Sequence, residues 1–193
     1  MTSGDSQLDR LPPLRPEQMN EAQRKAANEL IAGPRKGVKG PFIALLRSPE
    51  LLARMQKVGE YLRFQSALST RINEFVTLIV ARAWTQEFEW FVHLPLAAKA
   101  GTSEASLAAL AQGRRPPAMA EDEAVAYDFT TELLAHQGVC DATYARTLAA
   151  FGEQGLIDLV GLIGYFTAIS MVLNVAHTPP EALTGPPLER FPV

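Results

Sequence analysis

Between its proline and glycine breaks, the chain spaces its apolar residues three and four apart. Nowhere in its 193 residues does an apolar-polar alternation with flanking turn signals mark a strand. That periodicity restricts the fold to helix packed on helix. Glu17 to Ile31 reads as a helix ended by Gly33 and Pro34, and Arg35 to Pro41 as a basic, glycine-containing loop. Ser48-Pro49 starts a helix carrying Leu51, Leu52, Met55, Val58 and Leu62 on one face. Ser69 or Thr70 caps the next, whose apolar residues are Phe75, Leu78, Ile79, Ala81 and Ala83. Thr85 is positioned to cap a helix through Glu87, Trp90, Leu94 and Ala98, with a kink expected at Pro95 and a stop at Gly101. Ser103 to Gln112, Ala120 to His136, Ala142 to Phe151 (capped by Asp141) and Gly155 to Ala176 complete an expected all-α bundle of about eight helices.

The ends read differently. Residues 1–16 hold Pro12, Pro13 and Pro16 and form an expected N-terminal arm, packing late or wrapping a partner subunit. Residues 17–177 form one expected helical domain. Residues 178–193 carry five prolines and read as an extended tail.

With 47% hydrophobic and 20% charged residues, the chain has the composition of a globular protein with a real core. Its net charge of −3 gives no bulk basic character, which counts against nucleic acid as a partner. One cysteine, Cys140, forms no internal disulfide and suits a reducing, cytoplasmic setting; it reads as a small buried hydrophobe. Met1 to Arg15 lacks an apolar run after a basic start. Leu156 to Val175 approaches membrane-span length, but Asp158, Gly161, Gly164, Ser170 and Asn174 interrupt it. No Lys or Arg flanks it, so a buried helix rather than a membrane span is expected.

Three ionisable groups stand out between Arg71 and Gly101. Glu89 and His93 are four apart and share one helix face. Glu74 sits on the preceding helix among Phe75, Leu78, Ile79 and Val80, so it either points to solvent or is buried with a partner, for which His93 is the candidate. A buried carboxylate–imidazole–carboxylate set can take and return protons near neutral pH. The same spacing also suits a surface pair or a structural contact. A metal is not expected, because no third histidine or second clear ligand lies nearby in sequence. Trp90, with Trp84, Phe88 and Phe91, either packs in the core or walls a dry pocket. His136 and His177 fall near helix ends.

Gly40-Pro41, Ser48-Pro49-Glu50, Arg71 to Glu74, Glu87-Phe88-Glu89-Trp90, His93 and Ala97 to Gly101 together resemble the carboxymuconolactone decarboxylase family, which also contains alkyl hydroperoxidase D. Asp141 to Asn174 resembles the second half of its longer members. The family's peroxidase branch has a Glu, then Cys-x-x-Cys twelve residues on, then His. Glu74 and His93 match; the cysteine positions fall on Gln86 and Glu89, so neither thiol that disulfide cycling needs is present. Glu89 to His93 instead resembles the decarboxylase branch's Glu-Trp-x-x-His.

That resemblance implies an alkyl hydroperoxidase D-like fold, no metal or organic cofactor, and a trimer or hexamer. It implies loss of carbon dioxide from a small carboxylated lactone or related acid in aromatic catabolism. On it, His93 is expected to donate a proton or stabilise an enolate, Glu74 to orient His93, and Glu89 to carry a second proton. Trp90, Lys39 and Arg47 are expected to bind the substrate, and Tyr165 and Asn174 are within possible reach of the pocket. A thiol-independent hydroperoxidase-like protein and a non-catalytic oligomeric binding protein are the alternatives.

Overall fold

The computed structural model describes residues 9–33, 35–180 and 186–189. Among them the chain forms eight α-helices and no strand: α1 (Glu21–Ala32), α2 (Pro41–Leu45), α3 (Pro49–Phe64), α4 (Thr70–Ala83), α5 (Glu87–Ala100), α6 (Glu104–Ala111), α7 (Glu121–His136) and α8 (Asp141–Ala176).

Helix α4 is the axis. Its run Ile72, Phe75, Val76, Leu78, Ile79 and Val80 is apolar on every side rather than along one stripe, and such a helix must be enclosed. Helices α5, α7 and α8 enclose it, and every residue from Ile72 to Arg82 is buried. The Ser69 side chain caps it, accepting from the Ile72 amide at 3.3 Å. One apolar cluster joins α1, α3, α4, α7 and α8 around Leu30, Leu52, Val76, Phe129 and Leu162. A second joins α4 to α5 and α6 around Phe75, Leu78, Phe91 and Leu110.

Helix α8 is long and apolar enough, by length and composition, to cross a membrane, yet 56% of its most apolar window is buried inside this fold, where it packs on α2, α3, α4 and α7. It bends at Gly152, whose φ of 68° and ψ of 178° interrupt the helix near the break expected between Phe151 and Gly155. Asp158 on α8 ties down the loop between α3 and α4: its Oδ2 accepts from the Ala67 amide at 2.8 Å and its Oδ1 from the Tyr61 hydroxyl at 3.0 Å. Asp158→Ala removes both bonds to a buried carboxylate and is expected to lower the unfolding free energy by about 1.5–3 kcal/mol. Chemical denaturation measures it, and an unchanged midpoint contradicts it.

Several local expectations are corrected. Pro41 does not end a loop; it opens α2, a helix of five residues, too short to show a period. Helix α1 starts four residues later than Glu17, after a 3-10 turn at Pro16–Gln18, because Asn20 and Gln23 form a capping box. The cap of α5 is Gln86, accepting from the Phe88 amide at 2.7 Å, rather than Thr85, which adopts φ 46° in the turn before it. As expected, α5 runs through Pro95 and stops at Gly101. Cys140 is exposed, not buried: it precedes α8 as its N-cap, with Sγ 3.4 Å from Thr143 Oγ1.

The described part of the arm lies on its own chain, with the Arg10 amide donating to the Ala176 carbonyl at 2.8 Å. In the tail, Leu188 is buried and its amide donates to Glu87 Oε1 at 3.1 Å. Residues 1–8, Pro34 (expected with Gly33 to end the first helix), and residues 181–185 and 190–193 lie outside the described residues.

Candidate active site

Helices α4 and α5 are antiparallel neighbours, and their pairing decides where three charged side chains go. Glu74 lies one turn into α4; Glu89 and His93 lie one turn apart on α5. All three are buried, at 6%, 4% and 2% exposure. Isolated charges at that depth would each cost several kcal/mol, so they must meet. They do. His93 Nδ1 lies 2.5 Å from Glu74 Oε2, and Nε2 faces Glu89 Oε2 at 3.4 Å. With Nδ1 donating to Glu74, the imidazole ring is fixed in orientation, and Phe166 of α8 packs edge-on against it at 5.1 Å between centroids.

Burial taken alone lowers the pKa of His93. The contacts with Glu74 and Glu89 and their charges outweigh it, so the pKa is raised above the ordinary value. The imidazole therefore holds its proton more tightly than a free histidine, while both of its nitrogens face a carboxylate.

His93 and Glu89 line a cavity of about 360 Å³; Glu74 stands behind His93 as its support. Aromatic walls come from Phe42 on α2, Phe64 on α3, Phe88 on α5 and Phe166 on α8. The cavity also draws in Arg35, Lys39, Arg63 and Tyr165. Burial first of all raises the Tyr165 pKa, so the phenol stays protonated. Among the described residues no group of three or more His, Cys, Asp or Glu is arranged to hold a metal ion.

Of the expected substrate contacts, Lys39 lines this cavity, and Trp90 and Arg47 do not. Trp90 is 3% exposed and packs in the second apolar cluster with Phe75, Leu78 and Ile79. One residue along a helix is about 100° around it, so the residue after Glu89 faces away from Glu89's side. Arg47 is used structurally: its guanidinium donates to the Ile43 carbonyl at 2.7 Å and to the Pro12 carbonyl at 2.5 Å, pinning the arm to the end of α2. Tyr165 reaches the cavity, whereas Asn174 lies beside it, accepting from Gln86 Nε2 at 2.8 Å and donating to the Trp84 carbonyl at 3.1 Å. Gln86, at the first cysteine position of the peroxidase pattern, is thus wholly committed to capping and bracing.

Sequence reading missed Arg35 and Arg63. Arg35 stood in a loop read only as basic, and Arg63 lies in the last turn of α3, where a cation is expected for the helix dipole alone.

Residues 49–132 match the model of the carboxymuconolactone decarboxylase family. That segment runs from α3 through α7 and contains Glu74, Glu89, His93 and Arg63. No curated protein matches the chain. The structure is similar to that of a protein of unknown function from Agrobacterium tumefaciens, proposed to be the antioxidant defence protein AhpD, with a TM-score of 0.64 at 17% identity. The likeness covers 75% of this chain and 100% of that one. It shows a shared AhpD-like, all-helical fold, and the likeness to the carboxymuconolactone decarboxylase family is carried by the segment 49–132.

Proposed function

We propose that the chain is a cofactor-free lyase that removes carbon dioxide from a small carboxylated lactone or a related organic acid by acid–base chemistry. The observation that carries this reading is the buried Glu74–His93–Glu89 chain at the floor of a partly apolar cavity. Decarboxylation of an acid conjugated to a carbonyl needs little from a protein. The bond between the carboxylate and its carbon breaks, and its electron pair moves into the carbonyl to make an enolate. A proton then returns to carbon, so one proton is taken up for each carbon dioxide released.

His93, whose proton is held tightly and shared with two carboxylates, stabilises the enolate oxygen or delivers that proton. Glu89 beside it lines the cavity and relays the replacement proton from water. Glu74 fixes the tautomer and the ring orientation. The aromatic walls keep the site dry, so these charges act at full strength. Thiol chemistry has no place in this cavity: Gln86 and Glu89 occupy the cysteine positions, and Cys140 stands exposed at the start of α8.

The test is carbon dioxide release from a panel of carboxylated butenolides. His93→Gln is expected to lower kcat by about 10²–10⁴-fold. Glu74→Gln, which keeps the shape but loses the charge, is expected to shift the pH profile of kcat as well as its height. A wild-type chain inert on the whole panel, or a His93→Gln variant at full rate, defeats the reading.

A further inference from the structure

We propose that Arg35 and Arg63 form a carboxylate receptor inside the cavity, set against the Glu74–His93–Glu89 chain, and that Gly59 is the residue that makes room for it. The inference rests on reading this cavity as the substrate site.

Two guanidinium groups, from the loop after α1 and from the end of α3, line one cavity. Arg35 Nη2 and Arg63 Nε are both buried and make no hydrogen bond. Arg63 meets Glu74 at 3.9 Å, an ion-pair distance too long for a hydrogen bond. Arg35 Cζ lies over the Phe42 ring, 4.3 Å from its centroid, a contact that steadies the guanidinium without giving Nη2 an acceptor. Buried donors without acceptors are rare in folded proteins, and two on neighbouring cations mark a place where an anion belongs. The fields agree. Burial is the main influence lowering the Arg35 pKa, and the Arg63 charge lowers it further, against Tyr165 and Glu89, which raise it.

The charge around the cavity fits one carboxylate. Arg35, Lys39 and Arg63 line it with Glu60 and Glu89, while His93 and Glu74 balance one another behind. Three cations against two carboxylates leave one positive charge.

Gly59 supplies the space. It is buried in the middle of α3, where glycine is a poor helix former. A Cβ there would stand 2.2 Å from the Tyr165 hydroxyl and 3.0 Å from Arg35 Nη2. The bare backbone lets the phenol and the guanidinium settle against the helix, so Tyr165 braces Arg35 from α8. Arg35, Lys39 and Tyr165 fall outside the segment 49–132 while Gly59 and Arg63 lie inside it, so the receptor joins that segment to the chain's flanking elements.

Benzoate, a monoanion with an apolar ring, is the probe, and benzamide its neutral counterpart. Binding is followed by ligand-observed NMR and calorimetry on the full chain. Benzoate is expected to bind about tenfold or more tighter than benzamide, and to weaken with added salt. Arg35→Gln and Arg63→Gln are each expected to weaken benzoate about tenfold or more and leave benzamide unchanged. Gly59→Ala is expected to do the same through Arg35.

Equal binding of benzoate and benzamide by the wild-type chain overturns the proposal and needs no variant to fold. So does benzoate binding that survives both arginine changes but is lost in Lys39→Gln. Benzoate binding does not require turnover, so His93→Gln should keep it. A receptor that persists in a chain inert on every butenolide leaves the site and removes the lyase. A lyase indifferent to both arginines does the reverse.

Discussion

Replacing His93 with alanine is expected to destabilise the chain by about 3–5 kcal/mol, because it leaves two buried carboxylates without the group that bridges them. Glu74 and Glu89 are 6% and 4% exposed, so most of each carboxylate stays shielded from solvent once the imidazole is gone. Urea denaturation at neutral pH measures the loss; a variant as stable as the parent would show that the bridge carries no net stability. The gentler His93→Gln separates packing from charge. The pKa of His93 is raised in the folded state, burial lowering it and the contacts with Glu74 and Glu89 more than compensating. A raised histidine pKa means that the folded chain holds the proton more tightly than the unfolded one. The resulting stabilisation is fully present below the unfolded value near 6.5 and is lost as pH rises through the folded value. The parent should therefore lose stability as pH is raised above about 6.5, and that dependence should vanish in His93→Gln. A parent whose stability is flat over that window contradicts the assignment.

Gly40→Ala is expected to be nearly as damaging, although it adds a single methyl group. Gly40 caps α2 with φ 53° and ψ −126°, a conformation closed to residues with a Cβ. That alone costs about 1–3 kcal/mol. A Cβ would also stand 2.3 Å from Cζ of Phe88, which lines the cavity, and overpacking of this kind costs about 1–3 kcal/mol more. The substitution should lower the melting temperature and, by pushing Phe88 inward, reduce ligand binding in the surviving folded fraction. A melting temperature within a degree of the parent's would mean that the loop and the ring move aside freely.

The proposed site draws on both the segment 49–132 and its flanks. The proton-handling groups come from α4 and α5, inside residues 49–132. The groups that would choose the ligand come from the loop before α2, the end of α3 and the middle of α8.

Much of this was legible in the chain. Helix identity followed from spacing, and the boundaries followed from Ser69, Gly101 and Ser103, whose capping roles depend on atoms three or four residues away. The contact between Glu89 and His93 was readable for the same reason: four residues along a helix bring side chains onto one face by geometry alone. A buried pairing of Glu74 with His93 was a conditional reading, because it follows only if α4 is enclosed and lies against α5.

What the tertiary structure decided was direction and depth. Periodicity along α5 could not say which face looks into the cavity, so Trp90 was read as a contact when packing turns it into the core. Arg47 was read as a substrate cation when the arm takes its hydrogen bonds. Arg35, Arg63 and Tyr165 are tens of residues apart and become neighbours only when α3 and α8 close on Gly59. Local order is written in short-range hydrogen bonds and apolar spacing. A cavity is written in the meeting of distant surfaces, and in a single chain only the packed fold states which surfaces meet.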